Sequence, residues 1–265
     1  MKVQLSEFCM AVEDRGAGLP VLLIHGYPLN NQIWQPQIEG LGDVARIIAP
    51  DLRGHGDSEA APGADTMEAH AQDCHELLEK LGIHDKVVVC GLSMGGYVAL
   101  AFYRLFPHRV AGMVLTSTQA TADSPEARAN RDKSIQLAQE KGIQAIATGM
   151  APKLVSAQTL AAQPHLEEEL INLMMHNSLI AVQGDLQGMK VRMDSTPWLD
   201  SIQVPVLIIH GVEDAIVPMQ KAIEMQAQIP QARLCAIPAA AHLNNMEQPA
   251  LFNDCMRSFL ESFTA

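Results

Sequence analysis

Three residue types in this chain could together activate a hydroxyl: a serine between glycines, an acid and a histidine. Ser93 lies in Gly91-Leu92-Ser93-Met94-Gly95, between the apolar run Lys86 to Gly91 and a second apolar stretch beginning at Gly96. A strand followed by G-x-S-x-G and a helix is a sharp, strained turn that lifts the serine Oγ out of the backbone. The competing reading is a tight strand-to-helix turn in which serine is merely small. A serine hydroxyl is a weak nucleophile near neutral pH. It needs a base within hydrogen-bond reach and a third group to orient that base.

Two of the ten histidines fall where such a base could stand. His242 follows the apolar run Ala232 to Pro238 on the loop PAAAHLNNMEQP, and His25 ends the run Val21 to Gly26 in HGYP. His242 is the better candidate, because His25 runs straight into a glycine turn and suits a structural part there. For the acid, PVLIIHGVEDAIVP places Glu213 and Asp214 just past a third run. Asp214, three residues beyond Gly211, can turn toward the site, whereas Glu213 is expected to face solvent. The order is therefore Ser93, Asp214, His242, each at the end of an expected strand. Acyl transfer also needs donors aimed at the developing oxyanion, and losing one costs about 3 kcal/mol of barrier. The backbone N–H of Met94, just after the serine, is one expected donor. The N–H of Tyr27, after His25-Gly26, is the other; Pro28 has none to give.

The elements that must carry these residues follow from hydrophobic patterning. Six runs read as strands: Val21 to Gly26, Ala45 to Pro50, Lys86 to Gly91, Ala111 to Thr118, Pro205 to Gly211 and Ala232 to Pro238. They are rich in Val, Ile and Leu and do not alternate with polar residues, as expected of strands covered on both faces of a parallel sheet. Helical patterns lie between them, over Thr66 to Gly82, Gly95 to Pro107 and Gln248 to Phe263. The alternation predicts an α/β fold with a doubly wound, mostly parallel sheet. Between about Gln119 and Leu199 no strand is recognisable. That stretch carries helical segments and Met150, Met174, Met175, Met189 and Met193, which suits a helical insertion with an adaptable apolar interior.

Bulk properties exclude several classes. A net charge of −12 over 265 residues argues against nucleic-acid and anionic-membrane partners, which need basic patches. No apolar run approaches the length of a membrane span. Glu7, Glu13 and Asp14 stand where a signal peptide would carry its apolar stretch, so a cytoplasmic protein is expected. The five cysteines, Cys9, Cys74, Cys90, Cys235 and Cys255, are widely spaced without C-x-x-C, and are expected to be free thiols. No metal site or cofactor is expected.

The segments HGYP, DLRGHGDS (Asp51 to Ser58), GLSMGG, HGVEDAIVP and AHLNNMEQP together resemble signatures of the α/β-hydrolase superfamily, over about 220 of the 265 residues. The resemblance implies a helical cap inserted after the sixth strand, with residues 1–118 and 200–265 as the core and 119–199 as the cap. It implies Ser93 as nucleophile, Asp214 as acid and His242 as base, with Tyr27 and Met94 as oxyanion donors. Arg53, His55 and Ser58 would brace loops near the site. Ala241 departs from the glycine often found before the histidine. HGYP resembles the small-molecule hydrolases more than the HGGG lipases, and the nearest likeness is to bacterial carboxylesterases and enol-lactonases. Related enzymes that cleave carbon–halogen or epoxide bonds place Asp at the elbow, so Ser93 speaks against both. The expected substrate is a small, moderately apolar ester or lactone. Perhydrolysis of the non-haem haloperoxidase type and C–C bond hydrolysis use the same triad and stay open. So does a ligand-binding or signalling protein that keeps the fold without turnover.

Overall fold

A computed structural model describes residues 1–61 and 65–263. The chain opens with β1 (Lys2–Gln4), β2 (Cys9–Gly16) and β3 (Leu19–Ile24), then α1 (Gln35–Leu41), β4 (Ala45–Pro50), α2 (Met67–Lys80), β5 (Val87–Leu92), α3 (Met94–Leu105) and β6 (Val110–Thr116). Four helices follow: α4 (Pro125–Leu154), α5 (Ala157–Ala162), α6 (Leu166–Met175) and α7 (Leu179–Val191). The chain then resumes with β7 (Val206–Gly211), α8 (Met219–Gln228), β8 (Ala232–Ile237), α9 (Asn244–Glu247) and α10 (Pro249–Glu261).

The eight strands form one sheet in the order β1-β2-β4-β3-β5-β6-β7-β8. From β4 to β8 the neighbours run parallel, and β2 lies antiparallel to both β1 and β4. All six expected strands are present. β1 and β2 were not foreseen, because β2 is only half apolar and its charged end, Glu13 to Arg15, masks the pattern.

Two apolar cores explain why the parallel strands read as continuous runs. Along β3, Leu22 and Ile24 face a core shared with Leu77 of α2 and Val98 and Phe102 of α3. Val21 and Leu23 face the opposite core, with Ile38 and Leu41 of α1 and Phe252, Met256 and Phe259 of α10. Removing a side chain of this size from water on both faces of every strand is worth roughly 1.5–3 kcal/mol each.

The insertion between β6 and β7 is helical throughout its regular elements, as its strand-free sequence predicts. Ser124 starts α4, its hydroxyl accepting from the Ala127 N–H at 3.2 Å, with Pro125 in the first turn. Gly142, at φ 71°, ψ −175°, breaks α4 in two, a conformation that a residue with a Cβ avoids. Ala138, Val182, Leu186 and Met189 bury into one core, and Ala147, Leu170 and Met174 into the other.

One expectation is overturned. Cys235 of β8 and Cys255 of α10 form a disulfide with Cα atoms 6.8 Å apart, while Cys9, Cys74 and Cys90 remain thiols. The helix returns along the strand, a proximity that a spacing of 20 residues does not disclose. Closing a loop of that size constrains the unfolded chain by roughly 3 kcal/mol in the chain-entropy picture. Among the described residues no helix is long and apolar enough to cross a membrane.

Candidate active site

β5 is buried along its whole length and stops at Leu92, and α3 begins at Met94, so the reversal of direction is concentrated in Ser93. Its backbone, at φ 56° and ψ −112°, is unfavourable for a residue with a Cβ and costs on the order of 1–3 kcal/mol. Neighbouring groups hold it there. The Ser93 N–H donates to the Thr116 carbonyl at 2.9 Å, and the Ser93 carbonyl accepts from the Thr118 hydroxyl at 2.7 Å and the Gly96 N–H at 2.9 Å.

The glycines flanking the turn are fixed by close approach. A Cβ on Gly95 would lie 2.2 Å from the Ile24 carbonyl oxygen, and one on Gly91 2.0 Å from that of Gly95. Both obstacles are backbone and cannot swing aside. Gly95→Ala is therefore expected to cost about 3 kcal/mol, at the severe end of overpacking, read as a drop in the urea midpoint at unchanged m-value.

Asp214 and His242 follow β7 and β8, two and three strands across the sheet from β5. The Asp214 side chain is buried, and its two oxygens do different things. Oδ1 accepts from the N–H groups of Ile216 at 2.9 Å and Val217 at 3.0 Å, and Oδ2 accepts from His242 Nδ1 at 2.8 Å. Burial works to raise the Asp214 pKa, but the His242 bond and charge and the Val217 N–H outweigh it, holding the carboxyl below the usual range. An ionised Asp214 fixes the proton of neutral His242 on Nδ1, which leaves Nε2 with its lone pair. Among the described residues neither Nε2 of His242 nor the hydroxyl of Ser93 is engaged in a hydrogen bond. Glu213 is exposed, as expected, and only its N–H is used, donating to Ala240.

The loop bearing His242 is fastened on both sides. Glu247 accepts from the Ala241 N–H with Oε1 at 2.6 Å, and with Oε2 from the Ser156 N–H at 2.7 Å and the Thr159 hydroxyl at 2.6 Å, both in the helical insertion. Asn244 donates to the Ser117 hydroxyl at 2.8 Å. Below the acid, His210 stands 3.6 Å from Asp214 Oδ2 while its Nε2 donates to the Val217 carbonyl at 2.8 Å.

His25, the other base candidate, is committed elsewhere. Its Nδ1 donates to the Gly26 carbonyl at 3.0 Å, and its Nε2 accepts the Leu52 N–H at 3.0 Å. Burial, with the charge of His55, pushes its pKa down to about 3. Neither nitrogen is left for a hydroxyl.

After β3 the chain turns through Gly26-Tyr27-Pro28-Leu29, closed by the Leu29 N–H on the Gly26 carbonyl at 2.9 Å, with the Tyr27–Pro28 peptide cis. The turn crosses the elbow closely enough that a Cβ on Gly26 would lie 3.3 Å from the Cβ of Ser93. Among the described residues the N–H groups of Tyr27 and Met94 are not spent on other hydrogen bonds. Met94 also opens α3, where helix N–H groups and dipole favour negative charge.

The DLRGHGDS segment braces this region. Arg53 donates to both oxygens of Asp73 at 2.7 Å, and the Ser58 hydroxyl links the Asp51 carbonyl at 2.7 Å to the Ala11 N–H at 2.8 Å. Asp51 accepts from the Asn31 N–H at 2.7 Å and the Asp57 N–H at 2.9 Å. His55 reaches the insertion: its Nε2 is 3.2 Å from Asp185 Oδ2, and His70 Nε2 donates to Asp185 Oδ1 at 2.8 Å. Burial works against its charge, but these two histidines hold the Asp185 carboxyl well below its usual range.

Sequence reasoning missed Asp185, Glu247 and Asn177, which join the insertion to the site loops. Asp185 and Asn177 sit in stretches with no motif, Glu247 lies in AHLNNMEQP without a role that the motif discloses, and the partners each finds across the seam are distant in the chain. Among the described residues no group of three or more His, Cys, Asp or Glu is arranged to hold a metal ion.

The model of a family described as having the alpha/beta hydrolase fold matches residues 20–171 and 192–249. A thermophilic esterase from Thermogutta terrifontis, solved with malate bound, superposes with a TM-score of 0.96 at 40% identity, covering 99% of this chain and 98% of that one. The enol-lactonase of Burkholderia xenovorans superposes with a TM-score of 0.91 at 25% identity, covering 98% and 100%. The 3-oxoadipate enol-lactonase 2 of Acinetobacter baylyi is 27% identical over 234 residues, 88% of this chain and 85% of its own length.

Proposed function

The chain belongs to the alpha/beta hydrolase fold family, and from that membership we propose that it is a serine hydrolase cleaving a small, moderately apolar carboxylic ester or lactone. The observation that carries the proposal is the buried Asp214–His242 pair, with Nδ1 bound at 2.8 Å and Nε2 unspent, at the same sheet edge as the strained turn of Ser93.

In this reading Ser93 Oγ attacks the substrate carbonyl carbon as His242 Nε2 takes the hydroxyl proton. The former carbonyl oxygen becomes an oxyanion that accepts from the N–H groups of Tyr27 and Met94, groups that need no reorganisation as charge develops. The tetrahedral intermediate collapses, the ester C–O bond breaks, and His242 returns the proton to the leaving oxygen. For a lactone that oxygen stays tethered to the acyl group. Water, deprotonated by His242, then attacks the acyl-enzyme, and the proton passes back to Ser93 Oγ. No cofactor enters. Residues 119–199 serve as a cap over the site, and their aliphatic and methionine side chains suit an apolar acyl or alcohol portion.

The esterase and enol-lactonase relatives support the ester and lactone classes. The test is a panel of short acyl esters, lactones and peracid formation, run with purified protein and with Ser93→Ala as blank. Turnover of an ester or lactone that is lost in Ser93→Ala is expected. A folded protein with no turnover on the panel, or turnover retained in the blank, overturns the reading.

A further inference from the structure

Asn177 lies in the short link between α6 and α7 and is buried, yet its side chain serves neither helix. Nδ2 donates to the Pro28 carbonyl at 2.6 Å and Oδ1 accepts from the Gly56 N–H at 2.8 Å. One partner is an acceptor and the other a donor, so a single orientation of the amide satisfies both. The link is fastened on either side as well. The Ser178 N–H donates to the Gly54 carbonyl at 2.7 Å, the Asn30 side chain donates to the Leu173 carbonyl at 3.3 Å, and at the exposed rim His176 Nε2 lies 3.0 Å from Asp57 Oδ1.

The Pro28 carbonyl belongs to the turn that presents the Tyr27 N–H. That N–H and the Gly26 carbonyl share one planar trans peptide and point in opposite directions. From inside the core, the His25 Nδ1–H and the Leu29 N–H both hold the Gly26 oxygen, which aims the Tyr27 N–H the other way. From the outside, Asn177 holds the far end of the same turn. Resting on the hydrolase reading above, we propose that Asn177 is a positioning residue of the oxyanion hole: the insertion, and not the core alone, sets where the Tyr27 N–H points. Substrate binding and oxyanion stabilisation are then separable, because Asn177 acts on the second.

The test uses Asn177→Ala and Asn177→Asp, assayed with p-nitrophenyl acetate and with phenylboronic acid, which forms a tetrahedral adduct on a reactive serine. Asp is isosteric and keeps an acceptor for the Gly56 N–H, but sets a carboxylate oxygen against the Pro28 carbonyl. It therefore tests the Pro28 contact even if the alanine variant does not fold. Expected is a fall in kcat of about 10- to 100-fold, below the roughly 10²–10³ of deleting a donor outright. KM should stay within about threefold, and boronate affinity should weaken by the same factor as kcat. His176→Ala, which removes only the exposed contact of the seam, should change none of these. A changed KM or melting temperature with kcat and boronate affinity within about twofold of wild type would show Asn177 to be merely structural and overturn the proposal. Absence of wild-type turnover would instead overturn the hydrolase reading, and this inference with it.

Discussion

Replacing His242 by alanine is expected to lower kcat by about 10⁴- to 10⁶-fold on whichever ester or lactone the wild type turns over best, the range seen when the base of a coupled triad is removed. No other histidine stands ready to take over. His25 spends both ring nitrogens on the backbone of Gly26 and Leu52, and His210 commits its Nε2 to the Val217 carbonyl. The variant should stay folded. Although a buried carboxylate loses one partner, Asp214 Oδ1 keeps the N–H groups of Ile216 and Val217. Steady-state kinetics and a thermal melt on the same sample separate the two effects. A kcat within tenfold of wild type would mean that the base lies elsewhere.

Asp214→Asn should reduce kcat by roughly 10⁴-fold at little change in stability. The surroundings of Asp214 dictate how an amide would lie. Two backbone N–H groups point at the Oδ1 position, so the amide oxygen must sit there, and the NH₂ group must then face His242 Nδ1. A donor at that place forces the imidazole proton onto Nε2, and an Nε2–H cannot accept the proton of Ser93. Geometry survives while the tautomer is wrong. Glu213→Gln is the matched control, since Glu213 is exposed and only its backbone is engaged; its kcat should stay within about twofold. A large loss in Glu213→Gln, with Asp214→Asn unaffected, would move the acid by one position.

Much of the scaffold was legible because its cause is local. Runs such as Val87 to Leu92 are apolar at every position since both faces of the strand are covered, and covered faces are what the sheet order provides. Ser93, Asp214 and His242 were legible as strand-end residues in a particular order, and the structure brings Asp214 and His242 into one buried pair. β1 and β2 escaped because a half-exposed antiparallel edge needs no long apolar run. The Cys235–Cys255 disulfide escaped because it depends on how α10 packs back on β8. Asn177, Asp185 and Glu247 escaped for a deeper reason. A buried polar residue whose partners are distant in the chain leaves no periodicity behind. Asn177 and Pro28 are separated by 149 residues, and Glu247 and Ser156 by 91. These residues decide how the insertion meets the loops at the sheet edge.

The proposed function stands on the nucleophilicity of the Ser93 hydroxyl. Incubating the folded protein with an alkyl fluorophosphonate and mapping the adduct by mass spectrometry tests it without any substrate. Expected is one phosphonyl group per chain, on Ser93, and no adduct in Ser93→Ala. Folded wild-type protein that takes up no label, or a Ser93→Ala variant that is labelled as fully as wild type, would contradict it.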